Sequence, residues 1–148
     1  MWEWKGRNKR EIKPSVFDRS VHAIYSVQQE LTQLKHSLKG NSSLQGEIAS
    51  TLDRLTTANA ALLELSTEWA TNEEEGLFST RYRMQGDKFT EFFACFVLKQ
   101  EKETLERLAD KHPESFTDEV IQKFTHTIYA IEQQIKGFSN GKNVGNER

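Results

Sequence analysis

Residues 118–135 read DEVIQKFTHTIYAIEQQI, and the spacing of their apolar side chains decides the fold. Apolar residues recur here every three or four positions, which is typical of one face of an amphipathic α-helix. The recurring residues are Ile121, Phe124, Ile128, Ile131 and Ile135. Ser115 and Asp118 have capping-box spacing and predict the start of this helix, and Gly137 followed by Phe138 predicts its end.

Three earlier blocks show the same periodicity, at about 15–39, 42–71 and 87–111. Gly40 and Pro113 follow two of these blocks and are residues that end helices. Ser42, with Gln45 three residues later, is the predicted N-cap of the second helix. We therefore predict an all-α fold, a four-helix bundle built from two antiparallel αα-hairpins with coiled-coil-like seams. The sequence leaves open whether one chain closes the bundle or dimerisation completes it.

The chain divides into three predicted regions. Residues 1–14 form a basic N-terminal arm that contains tryptophan, residues 15–138 form the helical bundle domain, and residues 139–148 form a polar C-terminal tail. Residues 72–86 interrupt the periodic pattern and predict a long connection inside the bundle domain, of a length that is often functional.

Composition excludes several protein classes. The net charge of -2 argues against a protein that coats nucleic acid. No apolar run approaches the ~18 residues of a transmembrane segment, and the first ten residues lack the apolar stretch of a secretory signal. Cys95 is the only cysteine, which excludes an intrachain disulfide and a multi-cysteine zinc site. We expect the protein to lie in the reducing cytoplasm.

The common catalytic and cofactor motifs are missing from the sequence. No histidine has a carboxylate three residues before it, as a ferritin-like di-iron site requires, and no two histidines are spaced i, i+4 for zinc. Glycine-rich phosphate loops and the Gly-x-Ser-x-Gly motif do not occur. We therefore expect no metal and no cofactor, and we favour a non-catalytic protein over an enzyme.

Residues 107–112 read RLADKH and place an arginine and a histidine with four residues between them. This spacing resembles the Arg-x4-6-His motif of HEPN domains, which are small all-helical bundles that often cleave RNA. The resemblance covers these six residues and implies that Arg107 and His112 act at the scissile phosphate. A histidine can transfer a proton near neutral pH, and an arginine can donate two hydrogen bonds to a phosphate. A HEPN-like ribonuclease is therefore one hypothesis.

Two basic, aromatic segments are candidate contacts with nucleic acid. The N-terminal arm carries Trp2 and Trp4 together with a local charge of +3, from five lysines and arginines against two glutamates. Arg81, Tyr82 and Arg83 follow an acidic stretch in the long connection. Cations can neutralise phosphates while aromatic rings stack on bases, which makes a nucleic-acid-binding helical module the second hypothesis. The arm is also suited to a weak contact with an anionic membrane surface.

Four phenylalanines lie on one face of the predicted third helix: Phe89, Phe92, Phe93 and Phe96, at i, i+3, i+4 and i+7. Such a face belongs to a core, unless the bundle cannot bury all four rings. Rings left exposed would mark a partner-binding patch or a dimer interface. Because no catalytic motif is coherent, our preferred hypothesis is a helical interaction protein that binds another protein or itself.

Overall fold

The computed structural model describes residues 16–74 and 80–146, with side chains described for 16–65, 67 and 87–138. Every regular element among these residues is helical, which confirms the all-α prediction. The N-terminal arm lies outside the described residues. Four α-helices and a short 3-10 helix, Pro113–Ser115, make up the described chain. The α-helices are α1 (Val16–Ser37), α2 (Ser42–Glu74), α3 (Thr80–Lys111) and α4 (Asp118–Asn146).

The turn between α1 and α2 depends on three residues, Gly40, Asn41 and Gln45. Gly40 has a φ of +87°, a conformation that favours glycine. The side-chain oxygen of Asn41 accepts a hydrogen bond from the amide of Leu44 at 3.1 Å, so Asn41 is the N-cap and the prediction of Ser42 was wrong by one residue. Gln45 then donates its side-chain amide to the carbonyl of Lys35, which ties α2 back to α1.

The connection from α3 to α4 turns at Pro113, as the sequence predicts. The N-cap of α4 is Thr117, whose hydroxyl accepts the amide of Val120 at 3.3 Å; the capping box predicted at Ser115 is therefore wrong by two residues. The ring of Phe116 packs on Phe124 with centroids 4.8 Å apart. Ile121, predicted as part of the apolar stripe, is exposed in the first turn of α4.

The four helices pack as a helical bundle with α1 at its centre. α1 contacts each of the other three helices, and α3 also contacts α2 and α4. α1 and α2 run antiparallel, because Gln28 bonds Thr56 while Lys35 bonds Gln45. Burying a Leu or Ile side chain contributes about 1.5–3 kcal/mol, so the core supplies the driving force for packing. The largest apolar side chains buried completely are Ile24, Val27, Leu31, Leu44, Ile48, Leu55, Leu62, Leu98, Leu105 and Ile131.

Two segments that the sequence places outside helices are helical in the structure. Residues 72–74 belong to α2 and residues 80–86 to α3, so the predicted connection 72–86 is at most five residues long, at 75–79. Likewise α4 passes through Gly137, buries Phe138 and continues to Asn146, whereas a C-terminal end at Gly137 was predicted. Adding a residue to a formed helix costs little, so single glycines do not stop it.

A partly buried ion pair links α2 to α3. Arg54 donates to both carboxylate oxygens of Glu101, each at 2.8 Å, and also to the hydroxyl of Thr51 at 3.1 Å. The side chain of Glu101 is 7% exposed, whereas that of Arg54 is 50% exposed. Hydrogen bonding to Glu101 is the main reason that the pKa of Arg54 is raised. A carboxylate buried this far depends on its partner to offset the loss of hydration.

We expect Arg54→Met to lower the free energy of unfolding by about 2 kcal/mol, because Glu101 would stay buried without its cation. This loss is smaller than the ~3–5 kcal/mol that follows when one partner of a fully buried ion pair is removed, because half of the Arg54 side chain is exposed to water. Urea unfolding measures it, and the double variant Arg54→Met, Glu101→Leu should recover most of the loss. Arg107→Met removes an exposed pair with Glu103 and is the matched control, with less than about 0.5 kcal/mol expected.

Candidate protein-interaction surface

The helix α3 has two faces of different character. Its inward face is buried against the other helices and consists of Thr90, Ala94, Leu98, Glu101, Leu105 and Leu108. Phe89, Phe92 and Phe96 lie on the opposite side, because each residue advances roughly 100° around a helix axis. We call these three residues the phenylalanine face.

The phenylalanine face is exposed to an unusual degree. Phe89 is 54%, Phe92 62% and Phe96 49% exposed. The rings are ordered by stacking along the helix: Phe92 lies 6.1 Å from Phe96, and Phe89 lies 6.2 Å from Phe93 between ring centroids. Phe93 is the exception among the four predicted residues, because it is partly buried against the core. Three of the four phenylalanines are therefore available to contact another molecule.

Cations border the phenylalanine face. Lys88 and Lys99 are exposed at its two ends. The acidic residue in the middle of this segment, Glu91, points to the inner side, where it pairs with Arg19 of α1 at 3.6 Å. The border of the face is therefore basic over the length of the three rings.

The other predicted partner-binding residues are described only by their backbone or lie outside the described residues. Arg81, Tyr82 and Arg83 lie in the first turns of α3 rather than in a loop, and only their backbone is described. In sequence, Tyr82 stands seven residues before Phe89, two helical turns along the same register. Trp2 and Trp4 lie outside the described residues, and their predicted role stays a prediction.

The two residues of the HEPN-like motif make separate ion pairs. Arg107 is exposed on α3 and bonds Glu103 of its own helix at 3.3 Å. His112 follows the last residue of α3 and contacts Glu47 of α2 at 3.1 Å, between Nε2 and a carboxylate oxygen. Glu47 is also bound by the Lys111 ammonium at 2.7 Å. Arg107 and His112 are therefore bound by different acids, Glu103 and Glu47.

One cleft in the described part of the bundle is lined by charged side chains, a histidine and apolar groups. This cleft, of about 600 Å³, lies between α1, α3 and α4. Its described lining contains no serine, cysteine or lysine; it consists of Asp18, Arg19, His22, Ala23, Glu91, Gln134, Gly137 and Phe138. No group of three or more His, Cys, Asp or Glu side chains is placed to hold a metal ion in the part of the chain that the structure describes.

A second exposed apolar area was missed by sequence reasoning. Phe17 and Val21 of α1 line a cleft of about 220 Å³ with Tyr25 and Leu63. Tyr25 and Leu63 are both more than half exposed. The available signal was the spacing of four from Val21 to Tyr25, which widens the apolar face of α1 beyond a single seam.

The Glu47 cluster predicts a pH dependence of stability. Hydrogen bonds, first from Lys111 and then from His112, hold the pKa of Glu47 below its usual 4.5. A lowered pKa in the folded state stabilises the protein above the unfolded pKa, and this contribution is lost as the pH falls through the folded pKa. We expect Glu47→Gln to lower the free energy of unfolding at pH 7 by less than about 1 kcal/mol.

Unfolding curves of wild type and Glu47→Gln should converge as the pH is lowered below 4.5. Glu119→Gln, which removes an exposed pair with Lys123, serves as the control. A difference for Glu47→Gln that was equally large at neutral and strongly acidic pH would contradict this account.

Comparison with known proteins identifies no relative of this chain, so its function is inferred from the fold and its surfaces. No helix within the described residues is both long and apolar enough to cross a membrane. No family model matches the chain, and neither a curated protein nor a solved structure matches it.

Proposed function

We propose that the protein is a non-catalytic helical interaction protein, and that the phenylalanine face of α3 binds another protein chain. We place it in the cytoplasm, where the single cysteine would stay reduced. In this proposal the four helices form two antiparallel αα-hairpins that close the bundle within one chain. The helices then serve as a rigid scaffold that presents α3.

The observation that supports this proposal is the exposure of Phe89, Phe92 and Phe96. Rings of this size exposed by about half leave roughly 300 Å² of apolar surface in one contiguous strip. A strip of this size is comparable to the largest apolar patch of an ordinary monomer, and such patches are often binding sites. Aromatic side chains are also enriched at the centres of protein interfaces, where they contribute most of the binding energy.

The form of the surface supports a protein partner rather than a small ligand. A small-molecule site is concave and encloses most of its ligand. The phenylalanine face is instead the outward ridge of one helix, and none of its residues lines the clefts of the described bundle named above. A ridge of this kind can be covered by another chain that lies across it.

Site-specific photo-crosslinking in living cells tests the proposal. The photoreactive residue p-benzoylphenylalanine is introduced at position 92, and the matched control carries it at position 129 of α4, where Tyr129 is 59% exposed. Because both positions are surface aromatics, they differ only in the face on which they lie. We expect protein adducts from position 92 that are absent from position 129.

Mass spectrometry of the adducts identifies the partner. Lysine and serine variants at a second position of the face, Phe96→Lys and Phe96→Ser, should reduce crosslinking from position 92 without lowering the helix content measured by circular dichroism. Position 92 giving no protein adduct, or the same adducts as position 129, would refute the proposed function.

A further inference from the structure

Two consecutive segments of the chain carry opposite charge. The second half of α2 has four glutamates and no lysine or arginine; these are Glu64, Glu68, Glu73 and Glu74. The first part of α3, residues 80–100, carries four cations against two acids; the cations are Arg81, Arg83, Lys88 and Lys99. The acidic segment and the basic segment therefore follow each other in two consecutive helices of every copy of the chain.

The outward face of α2 carries mostly small side chains in the region where the helix becomes rich in glutamate. Its exposed residues opposite the core are Thr57, Ala60, Ala61, Glu64 and Thr67. Four of these five side chains are small, so the backbone of α2 can be approached closely by large rings. The fifth, Glu64, is an exposed acid in the middle of this surface. We call these five residues the α2 face.

We propose that the partner of the phenylalanine face is a second copy of this chain. In this two-fold dimer, which rests on the proposed function, the phenylalanine face of each copy lies on the α2 face of the other. Lys88 of one copy then faces Glu64 of the other copy, and the contact occurs twice. Such an isologous arrangement uses the same two surfaces on both chains and closes without further growth.

Charge complementarity favours this partner over a membrane. Oppositely charged surfaces steer association and exclude partners of like charge. An anionic bilayer would be attracted by Lys88 and Lys99 but repelled by the acidic half of α2 beside them. A second copy presents acids to the basic segment and cations to the acidic segment.

The buried area favours reciprocal contacts over contacts between two phenylalanine faces alone. Two such faces supply roughly 600 Å², about half of the ~1,200 Å² at the lower end of stable interfaces. When each phenylalanine face instead covers an α2 face, both surfaces of both copies are buried, and the total reaches roughly 1,200 Å². A dimer of this size is expected to dissociate on dilution.

A charge swap tests the dimer on the full chain by sedimentation equilibrium. We expect wild type to be dimeric at high micromolar concentration. Lys88→Glu and Glu64→Lys should each raise the dissociation constant by at least about tenfold, because each places two pairs of like charges in the interface. An equimolar mixture of these two variants should dimerise with wild-type affinity, since both contacts of the mixed dimer again join opposite charges.

Two uncharged variants complete the design. Phe96→Ser should weaken the dimer, whereas Tyr129→Ser, on α4, should leave the dissociation constant unchanged. Circular dichroism checks that each variant keeps its helix content. The inference is overturned if wild type stays monomeric throughout, or if mixing the two charge variants restores nothing.

Failure of the dimer is distinguishable from failure of the proposed function. A monomer that crosslinks from position 92 to a different protein would exclude the second copy and keep the interaction role. A monomer without protein adducts that binds vesicles of 70% phosphatidylcholine and 30% phosphatidylserine, about the charge of a cytoplasmic leaflet, would overturn both. Adducts with the mass of two chains support the dimer.

Discussion

The burial of α1 is the constraint on which the rest of the structure depends. This helix contacts the other three, as α3 also does, whereas α2 and α4 share no extensive contact of their own. Ile24, Val27 and Leu31 are completely buried, and beside them Ser20 and Ala23 are small enough for neighbouring helices to come close. The helices α2, α3 and α4 therefore each turn apolar residues toward α1. The residues on the opposite side of each of these helices face water.

Helical periodicity predicted the four helices and most of the core, because both follow from residues three or four apart. It could not decide which side of α3 is buried, since that helix carries two apolar stripes. The structure buries the stripe that contains Thr90 and Ala94. At the level of the Arg19–Glu91 pair, α1 buries the small residues Ser20 and Ala23, which favours the small Thr90 and Ala94 of α3 over large rings in the interior. The phenylalanines are therefore left outside.

Other features could not be predicted from the sequence, because they depend on contacts between residues that are far apart in the chain. Arg54 and Glu101 are 47 residues apart, and nothing in the local pattern of either helix marks them as partners. The Arg107 and His112 motif was visible as a spacing, but the spacing says nothing about Glu103 and Glu47, the acids that bind the two side chains. Helix ends differed by a few residues because caps such as Asn41 and Thr117 compete with neighbouring polar residues.

Two polar atoms are buried without a hydrogen-bond partner at the end of the described bundle that holds the candidate interaction surface. Near the start of α1, Ser20 Oγ and Asn59 Oδ1 are buried without a hydrogen-bond partner in the described structure. An unsatisfied buried polar atom destabilises the folded state by about 1–3 kcal/mol. The same end holds the exposed rings of α3 and the acidic half of α2. A chain that bound nothing could replace Phe92 with a polar residue and lose no contact with its own core.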